Sequence, residues 1–342
     1  MTNMISIAGR EISTDTPCFI IAEIGINHGG NEKVCANMIS QAAAAGADAI
    51  KLQTVTPEES YHPDTDSYRL FRESVLSREA LQRLMAQARS AGIILFSTPG
   101  DPTALRLMCD LGMPAIKISS GLLTNLPLIR LAAASGKPMI LSTGMARYDE
   151  VQAAVVAARA SGCQELALLQ CTSLYPAPTE TLNLRAMDSL KGISSGPVGF
   201  SDHHAGYLAC VAAVAHGATL IEKHFTLDAT VPDADHAISI EPHEFFEMVK
   251  TIRDVEAMLG RPEKAPVEAE VRLRAGRHRR LVAARNIKAG ETIRADDLYL
   301  MRLPADHEGL SASRIEDVVG RRATRPIAKF SGLTEDMIIG VA

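Results

Sequence analysis

The sequence predicts a closed (β/α)8 TIM barrel followed by a small β-rich domain. Three observations carry this. Between Phe19 and Leu259 a short apolar run ending in polar residues recurs eight times. Each run precedes a longer stretch of helical periodicity that closes at or near a glycine. Eight such units in roughly 240 residues match the barrel in count and in length. An open doubly wound sheet is the alternative, but it uses fewer units and a Gly-rich phosphate turn that this chain lacks.

The strands are expected at FIIAEIG (19–25), AIKLQT (49–54), IILFSTP (93–99), AIKISSG (115–121), PMILSTG (138–144), LALLQCTS (166–173), PVGFSDHH (197–204) and TLIEKHFT (219–226). Near-continuous apolar runs suit a parallel sheet buried on both faces. Helices are suggested between them at 31–47, 78–92, 101–112, 149–162 and 207–217, with a last one at 242–259. The barrel domain is expected over 1–262. A linker (263–278) follows, because RPEKAPVEAEVRLRAGRHRR carries Pro and a run of Arg and His that reads as a solvated face. The last domain, 279–342, has β-like runs RLVAARNI and YLMRLP and the turn KAGET. It is small for an independent core and is expected to lean on its own barrel or on a partner chain.

Bulk properties narrow the function classes. A net charge of −5 argues against non-specific nucleic-acid binding, which needs a basic surface. No apolar run is long enough to span a bilayer, and the N-terminus has no signal core. Six cysteines without C-x-x-C pairs suit reduced thiols. The expectation is a soluble cytoplasmic protein with neither nucleic acid nor membrane as partner.

In a barrel the C-terminal strand ends form the active site, and residues two apart share a face. This pairs Lys51 with Gln53, Lys117 with Ser119, Ser201 with His203, and Glu222 with His224. Glu23, Thr98, Ser120, Ser142 and Ser173 join them at the same mouth. His203 and His224 on adjacent strands could reach one divalent ion, with carboxylates and water completing it. The spacing leaves open that they are satisfied core histidines. Two lysines among hydroxyls suit an anionic substrate, or else a structural ion-pair cluster. Within SDHHAG, His203 shares the face of Ser201, whereas Asp202 and His204 point the other way and read as turn structure.

Eight ordered motifs then become recognisable: AEIGINHGG (22–30), IKLQT (50–54), STP (97–99), KISSG (117–121), LSTGM (141–145), QCTSLYPAP (170–178), GFSDHHAG (199–206) and EKHFT (222–226). Together they resemble the sialic acid synthase family, the N-acetylneuraminate synthases and their relatives making legionaminic and pseudaminic acids. RLVAARNIKAGETI, LYLMRLP and HEGL resemble that family's C-terminal antifreeze-like (SAF) domain. The resemblance implies condensation of phosphoenolpyruvate with an open-chain N-acetylated hexosamine, N-acetylmannosamine or a diacetamido-trideoxyhexose. The product would be a nine-carbon 3-deoxy-2-keto acid, with phosphate leaving by C–O cleavage. It implies a divalent metal on His203 and His224, Mn²⁺ first and Mg²⁺ or Co²⁺ next. It implies catalytic roles for Glu23, Glu222 and Asp235. Lys51, Thr98, Lys117, Ser120, Ser142, Ser173 and Ser201 would hold phosphate and carboxylate, with Gln53 and Tyr175 also contacting substrate. Arg302 would reach the sugar within a domain-swapped homodimer.

Four departures from the family pattern stand out. Cys171-Thr172-Ser173 replaces Cys-Thr-Asn, Asp233-Ala234-Asp235-His236 replaces Gly-Pro-Asp-His, and Arg302-Leu303-Pro304 replaces Arg-Pro. The loop from Gln53 to Tyr68 also lacks a sugar-contacting asparagine. Three of the four lie on the sugar side. The competing enzyme class is a Schiff-base aldolase on the same barrel, using Lys51, Lys117 or Lys223.

Overall fold

Alternation along eight parallel strands builds the first unit. In the computed structural model, which describes residues 4–232, 235–304 and 306–340, the chain divides after Gly260 into two compact units. A hairpin of β1 (Ile5–Ile7) and β2 (Arg10–Ile12) comes first. Then follow β3 (Phe19–Gly25), β4 (Ala49–Thr54), β5 (Ile94–Pro99), β6 (Ile116–Ile118), β7 (Met139–Ser142), β8 (Leu166–Cys171), β9 (Val198–Asp202) and β10 (Leu220–His224). They close in sequence order, β10 pairing back onto β3, which is the predicted barrel.

Each strand sends one parity inward and the other outward. Outward residues such as Ile20, Ile50, Leu141, Leu168 and Phe200 pack under the helices in the main core. Inward residues are apolar low in the barrel: Phe19, Ile21, Ala49, Phe96, Ile140 and Leu220 fill it, and Ile5, Ile7 and Ile12 of the hairpin pack into the same cluster. Gly199 belongs to the inward row, where a Cβ would strike the Leu220 carbonyl. One step further along, the inward positions of every barrel strand but β8 turn polar: Glu23, Lys51, Thr98, Lys117, Ser142, Ser201 and Glu222. The apolar floor thus gives way to a polar mouth by strand periodicity alone.

Local signals set the helices. Asn31, Ser77, Asp101 and Asn125 each accept backbone N–H groups as N-caps, and Asp101 and Asn125 have Pro in the first turn. Helices Leu126–Ala134 and Ala186–Ile193 complete the ring, and two short ones, Pro57–Ser60 and Asp66–Glu73, are inserted after β4. The strand expected at 115–121 is shorter, because residues 120–122 curl into a 3-10 turn.

The second unit opens with an exposed helix, Glu268–Arg277, inside the stretch read as linker; a Glu268–Arg272 pair at 2.7 Å runs along it. Strands β11 (Arg280–Ala283) and β12 (Leu298–Met301) pair antiparallel. Contrary to the expectation of a module without its own core, Leu281, Ile287, Ile293, Val318, Ile327 and Leu333 are buried together. All six cysteines are free thiols. Among the described residues, no helix is long and apolar enough to cross a membrane.

Candidate active site at the barrel mouth

Strand register places the charged residues side by side. Glu23 on β3 lies beside both His224 and Lys51, Gln53 beside Thr98, and Ser201 beside Glu222. The result is a chain of alternating charges. Lys51 Nζ is 2.6 Å from Glu23 Oε2 and 3.7 Å from Glu222 Oε2, and Lys117 Nζ is 3.4 Å from Glu222 Oε1. All four side chains are buried. Charges taken out of water at several kcal/mol each are tolerated only in balance, and here two carboxylates face two ammonium groups.

Hydroxyls surround the chain. Lys117 donates to Ser142 Oγ at 2.7 Å and Lys51 to Thr98 Oγ1 at 3.1 Å, while Ser201 donates to Glu222 Oε1 at 2.8 Å. Gln53 donates to Glu23 Oε1 at 3.2 Å. Ser120 Oγ accepts the Gly144 N–H at 3.0 Å, and the buried Ser173 Oγ beside it has no partner. The absence of a side chain at Gly144 leaves room for both hydroxyls: a Cβ would push Ser173 Oγ aside, and would lie 2.8 Å from Ser120 Oγ. Ser119 lines a small cavity together with Gln53 and Thr98.

Burial and charge split the titrations. Burial pushes Glu222 up, but Lys117 and Lys51 outweigh it and hold the carboxyl at about 2. Glu23 moves the other way, raised by burial against the pull of Lys51. Lys117 is lowered by burial, with Glu222 opposing. For Lys51, burial is outweighed by Glu222 and Glu23, and its ammonium is stabilised. Two carboxyls with opposed shifts in one site are an acid–base arrangement.

The two histidines sit at the rim, with ring centroids 5.1 Å apart. His203 Nδ1 lies 2.8 Å from the Thr172 carbonyl, so Nδ1 carries a proton; burial pulls this imidazole down, but Cys171 and the Thr172 carbonyl outweigh it and raise it above its ordinary value. Cys171 Sγ lies 3.7 Å from the same Nδ1. His224 Nδ1 is buried with no hydrogen-bond partner, 3.6 Å from Asp235 Oδ2. Burial first, then the neighbouring cations, drive His224 well below the usual imidazole range, so it is neutral as a ligand must be. Tyr175 stacks near His203 with centroids 4.2 Å apart. Among the described residues no three His, Cys, Asp or Glu side chains are arranged to hold a metal. The two imidazoles, one with an unpartnered buried Nδ1, could supply two ligands to a divalent ion, with water or substrate filling the other positions.

The structure therefore brings together every barrel candidate; Arg302 alone lies in the second unit, exposed, just beyond β12. Parity also resolves SDHH. Asp202 Oδ2 pairs with Lys223 Nζ at 3.0 Å on the outward face, both fully buried, and Asp202 Oδ1 accepts the His204 N–H at 2.8 Å. This removes Lys223 from the Schiff-base candidates, since it faces away from the mouth. Asn27 is buried beside the site and positions one of its candidate residues, a role the sequence reading passed over. Its Nδ2 donates to the Phe225 carbonyl at 3.1 Å and Ser239 Oγ at 3.0 Å, and its Oδ1 accepts the Asp235 N–H at 3.2 Å. It fastens the loop of Asp235 to the first barrel strand; its place in AEIGINHGG was the available signal. Asp233 and Ala234 lie outside the described residues.

Comparison with known proteins agrees with this architecture. The sequence matches the NeuB family over residues 38–264 and the SAF domain over residues 278–339. An uncharacterized protein of Methanocaldococcus jannaschii is 43% identical over 298 residues, 87% of this chain and 88% of that one. The N,N'-diacetyllegionaminic acid synthase of Legionella pneumophila is 37% identical over 323 residues, 89% of this chain and 90% of that protein. The crystal structure of an N-acetylneuraminic acid synthetase from Leptospira borgpetersenii, in complex with citrate, aligns with a TM-score of 0.75 at 34% identity, over 79% of this chain and 96% of that one. With the barrel and the appended domain both matched, the chain belongs to the NeuB family and carries a SAF domain at its C-terminal end.

Proposed function

We propose that this chain condenses phosphoenolpyruvate with the open-chain aldehyde of an N-acetylated hexosamine, forming a nine-carbon 3-deoxy-2-keto acid and releasing phosphate. The observation that carries this is the balanced Glu23–Lys51–Glu222–Lys117 chain beside the unpartnered His224 Nδ1. A ring of paired charges can exchange its carboxylate partners for those of an anionic ligand at little electrostatic cost. Lys51 and Lys117 then hold phosphate and carboxylate, with Thr98, Ser120, Ser142, Ser173 and Ser201 adding directional hydrogen bonds. C3 of phosphoenolpyruvate forms the new bond to the aldehyde carbon, whose oxygen takes up a proton. Water adds to the cationic C2 and loses a proton, and the C–O bond to phosphate breaks to leave the ketone.

Glu23, relieved of Lys51 and tethered to Gln53, faces that tetrahedral centre as the proton acceptor. Glu222 and Asp235 orient water or sugar hydroxyls, and Tyr175 covers the rim. A divalent ion bound by His203 and His224, Mn²⁺ by preference, would supply Lewis acidity to the aldehyde oxygen. The same reading makes the protein a domain-swapped homodimer in which Arg302 reaches the sugar in the partner barrel. The Legionella relative, named for a diacetylated product, favours a diacetamido sugar over N-acetylmannosamine.

The test is a phosphate-release assay with a panel of acetamido sugars. Release must require both the sugar and a divalent ion; if none of these sugars supports it with metal present, the proposal fails. The lowered Lys117 favours the aldolase alternative in one respect. Borohydride trapping of a lysine adduct, undiminished by chelator, would establish that reading instead.

A further inference from the structure

The loop after β8 carries Ser173 and Tyr175 to the mouth, and the two histidines that follow β9 hold it at opposite ends. At its start His203 Nδ1 bonds the Thr172 carbonyl at 2.8 Å, and Thr172 Oγ1 donates to the Thr181 carbonyl at 2.8 Å, closing the loop on itself. Further along, the Ala177 N–H donates to the His203 carbonyl at 3.0 Å. Thr179 Oγ1 then lies 3.0 Å from His204 Nε2. That is a hydrogen bond in either imidazole tautomer, because a hydroxyl both donates and accepts.

His204 is itself fastened to the sheet. Its N–H donates to Asp202 Oδ1 at 2.8 Å, and its carbonyl accepts from Lys223 Nζ. Those two residues form the fully buried ion pair between β9 and β10. Both backbone polar groups of His204 are thus fixed, and its Nδ1, buried without a partner, makes no competing bond. Among the described residues, Thr179 is the hydrogen-bond partner of the ring. The buried pair on the outward face thereby bears on a mouth that its own side chains do not reach.

Tyr175 is the residue this arrangement serves. Its ring lies 4.2 Å from that of His203 and 6.3 Å from that of His224, yet it is 54% exposed. Ring contacts on one side leave such a side chain free to move away, so its place depends on the path of the loop backbone. Leu174 beside it is also exposed, whereas Ala177 is buried. The ties at Ala177 and Thr179 therefore decide where the exposed stretch runs.

We infer that His204 is a positioning residue, which anchors the loop after β8 through Thr179 and so sets the place of Tyr175 over the rim. The inference rests on the synthase reading only for the substrate that Tyr175 meets; the anchoring is a property of the loop.

The chain contains no tryptophan, so Tyr175→Trp installs a single fluorescent reporter in the loop. In that background His204→Ala and Thr179→Val each increase acrylamide quenching of the reporter. Combined, they increase it no further than the larger single effect, since both cut one bond. His204→Gln, whose amide extends towards the same hydroxyl, restores part of the protection. With Tyr175 in place, phosphate release is measured with Mn²⁺ and N-acetylmannosamine or a diacetamido-trideoxyhexose, whichever turns over faster. His204→Ala raises KM for the sugar about fivefold, the worth of one hydrogen bond, while KM for phosphoenolpyruvate stays within about twofold. A merely structural role would lower the melting temperature without splitting the two KM values. Unchanged quenching in both single variants overturns the inference, as do additive effects in the double variant or equal shifts of both KM values. If His204→Ala folds poorly, Thr179→Val at an exposed hydroxyl carries the same test. Absence of release with every acetamido sugar sinks the synthase reading, and the quenching result then decides the anchoring by itself.

Discussion

Replacing Lys223 with methionine removes one charge from a fully buried ion pair directly behind the two rim histidines. Lys223 Nζ lies 3.0 Å from Asp202 Oδ2, and neither side chain reaches solvent. Removing one member of such a pair costs about 3–5 kcal/mol, because the remaining charge is left in low dielectric. Asp202 keeps two weaker partners, the His204 N–H at 2.8 Å and Cys210 Sγ at 3.2 Å, which place the loss near the lower end, about 3 kcal/mol. Lys223 also donates to the His204 carbonyl at 2.5 Å, adding about 1 kcal/mol when that bond goes. The expected destabilisation is therefore about 4 kcal/mol, a large part of the ~5–15 kcal/mol that holds a typical domain. Urea unfolding followed by far-UV circular dichroism measures it as a lower midpoint. Asp202→Leu combined with Lys223→Met should recover most of the loss, since no charge then stays buried; about 1–2 kcal/mol remains for the deserted His204 groups. A single-variant cost below about 1 kcal/mol would refute this reasoning and return Lys223 to the candidate nucleophiles.

Three further outcomes follow from the site. Gly144→Ala should lower kcat/KM for phosphoenolpyruvate about 10²-fold by pushing Ser120 and Ser173 aside; steady-state kinetics checks it, alongside a melting temperature that stays close to wild type. Chelation should abolish phosphate release and added Mn²⁺ should restore it, whereas His203→Ala and His224→Ala should stay inactive at any metal concentration with an unchanged circular dichroism spectrum. Arg302→Ala and His224→Ala should each be inactive alone, yet mixing them after partial unfolding should restore about a quarter of wild-type activity, because half the dimers would carry one complete site. Failure to complement would place Arg302 in its own barrel or outside the site.

The strands were legible because barrel strands are apolar on both faces, so β3 and β4 could be bounded almost to the residue. The inward column at the mouth followed from parity, which put Lys51 and Gln53 on one face and sorted His203 from His204. The hairpin at Ile5–Ile12 was not legible: its strands have three residues each, and its turn, Ala8-Gly9, carries only a weak signal. Asn27 escaped for a different reason. Its partners are Phe225, Asp235 and Ser239, some two hundred positions away, and no local pattern reports a bond across that distance. The core of the second unit was missed because its apolar residues are dispersed singly among turns, without the periodicity of a strand or helix.

The two halves of the site differ in how firmly they are held, and this bears on where substrate choice resides. The groups assigned to phosphoenolpyruvate stand mostly on β4 through β9, where strand register and a filled barrel floor fix each position. Moving Lys51 or Lys117 would mean shifting a strand against two neighbours and exposing the apolar layer beneath. The groups assigned to the sugar stand mainly on connections: Tyr175 after β8, Asp235 on a loop tied to Asn27, and Arg302 in the second unit. Tyr175 is held by ring contacts and Asp235 by hydrogen bonds with Asn27 and Ser239, so one substitution can reposition either at a cost of about 1 kcal/mol. A barrel built this way keeps the enol-phosphate chemistry constant while its rim is free to change which acetamido sugar it admits. The three departures from the family pattern on the sugar side fall on this loosely held half, where the architecture tolerates them.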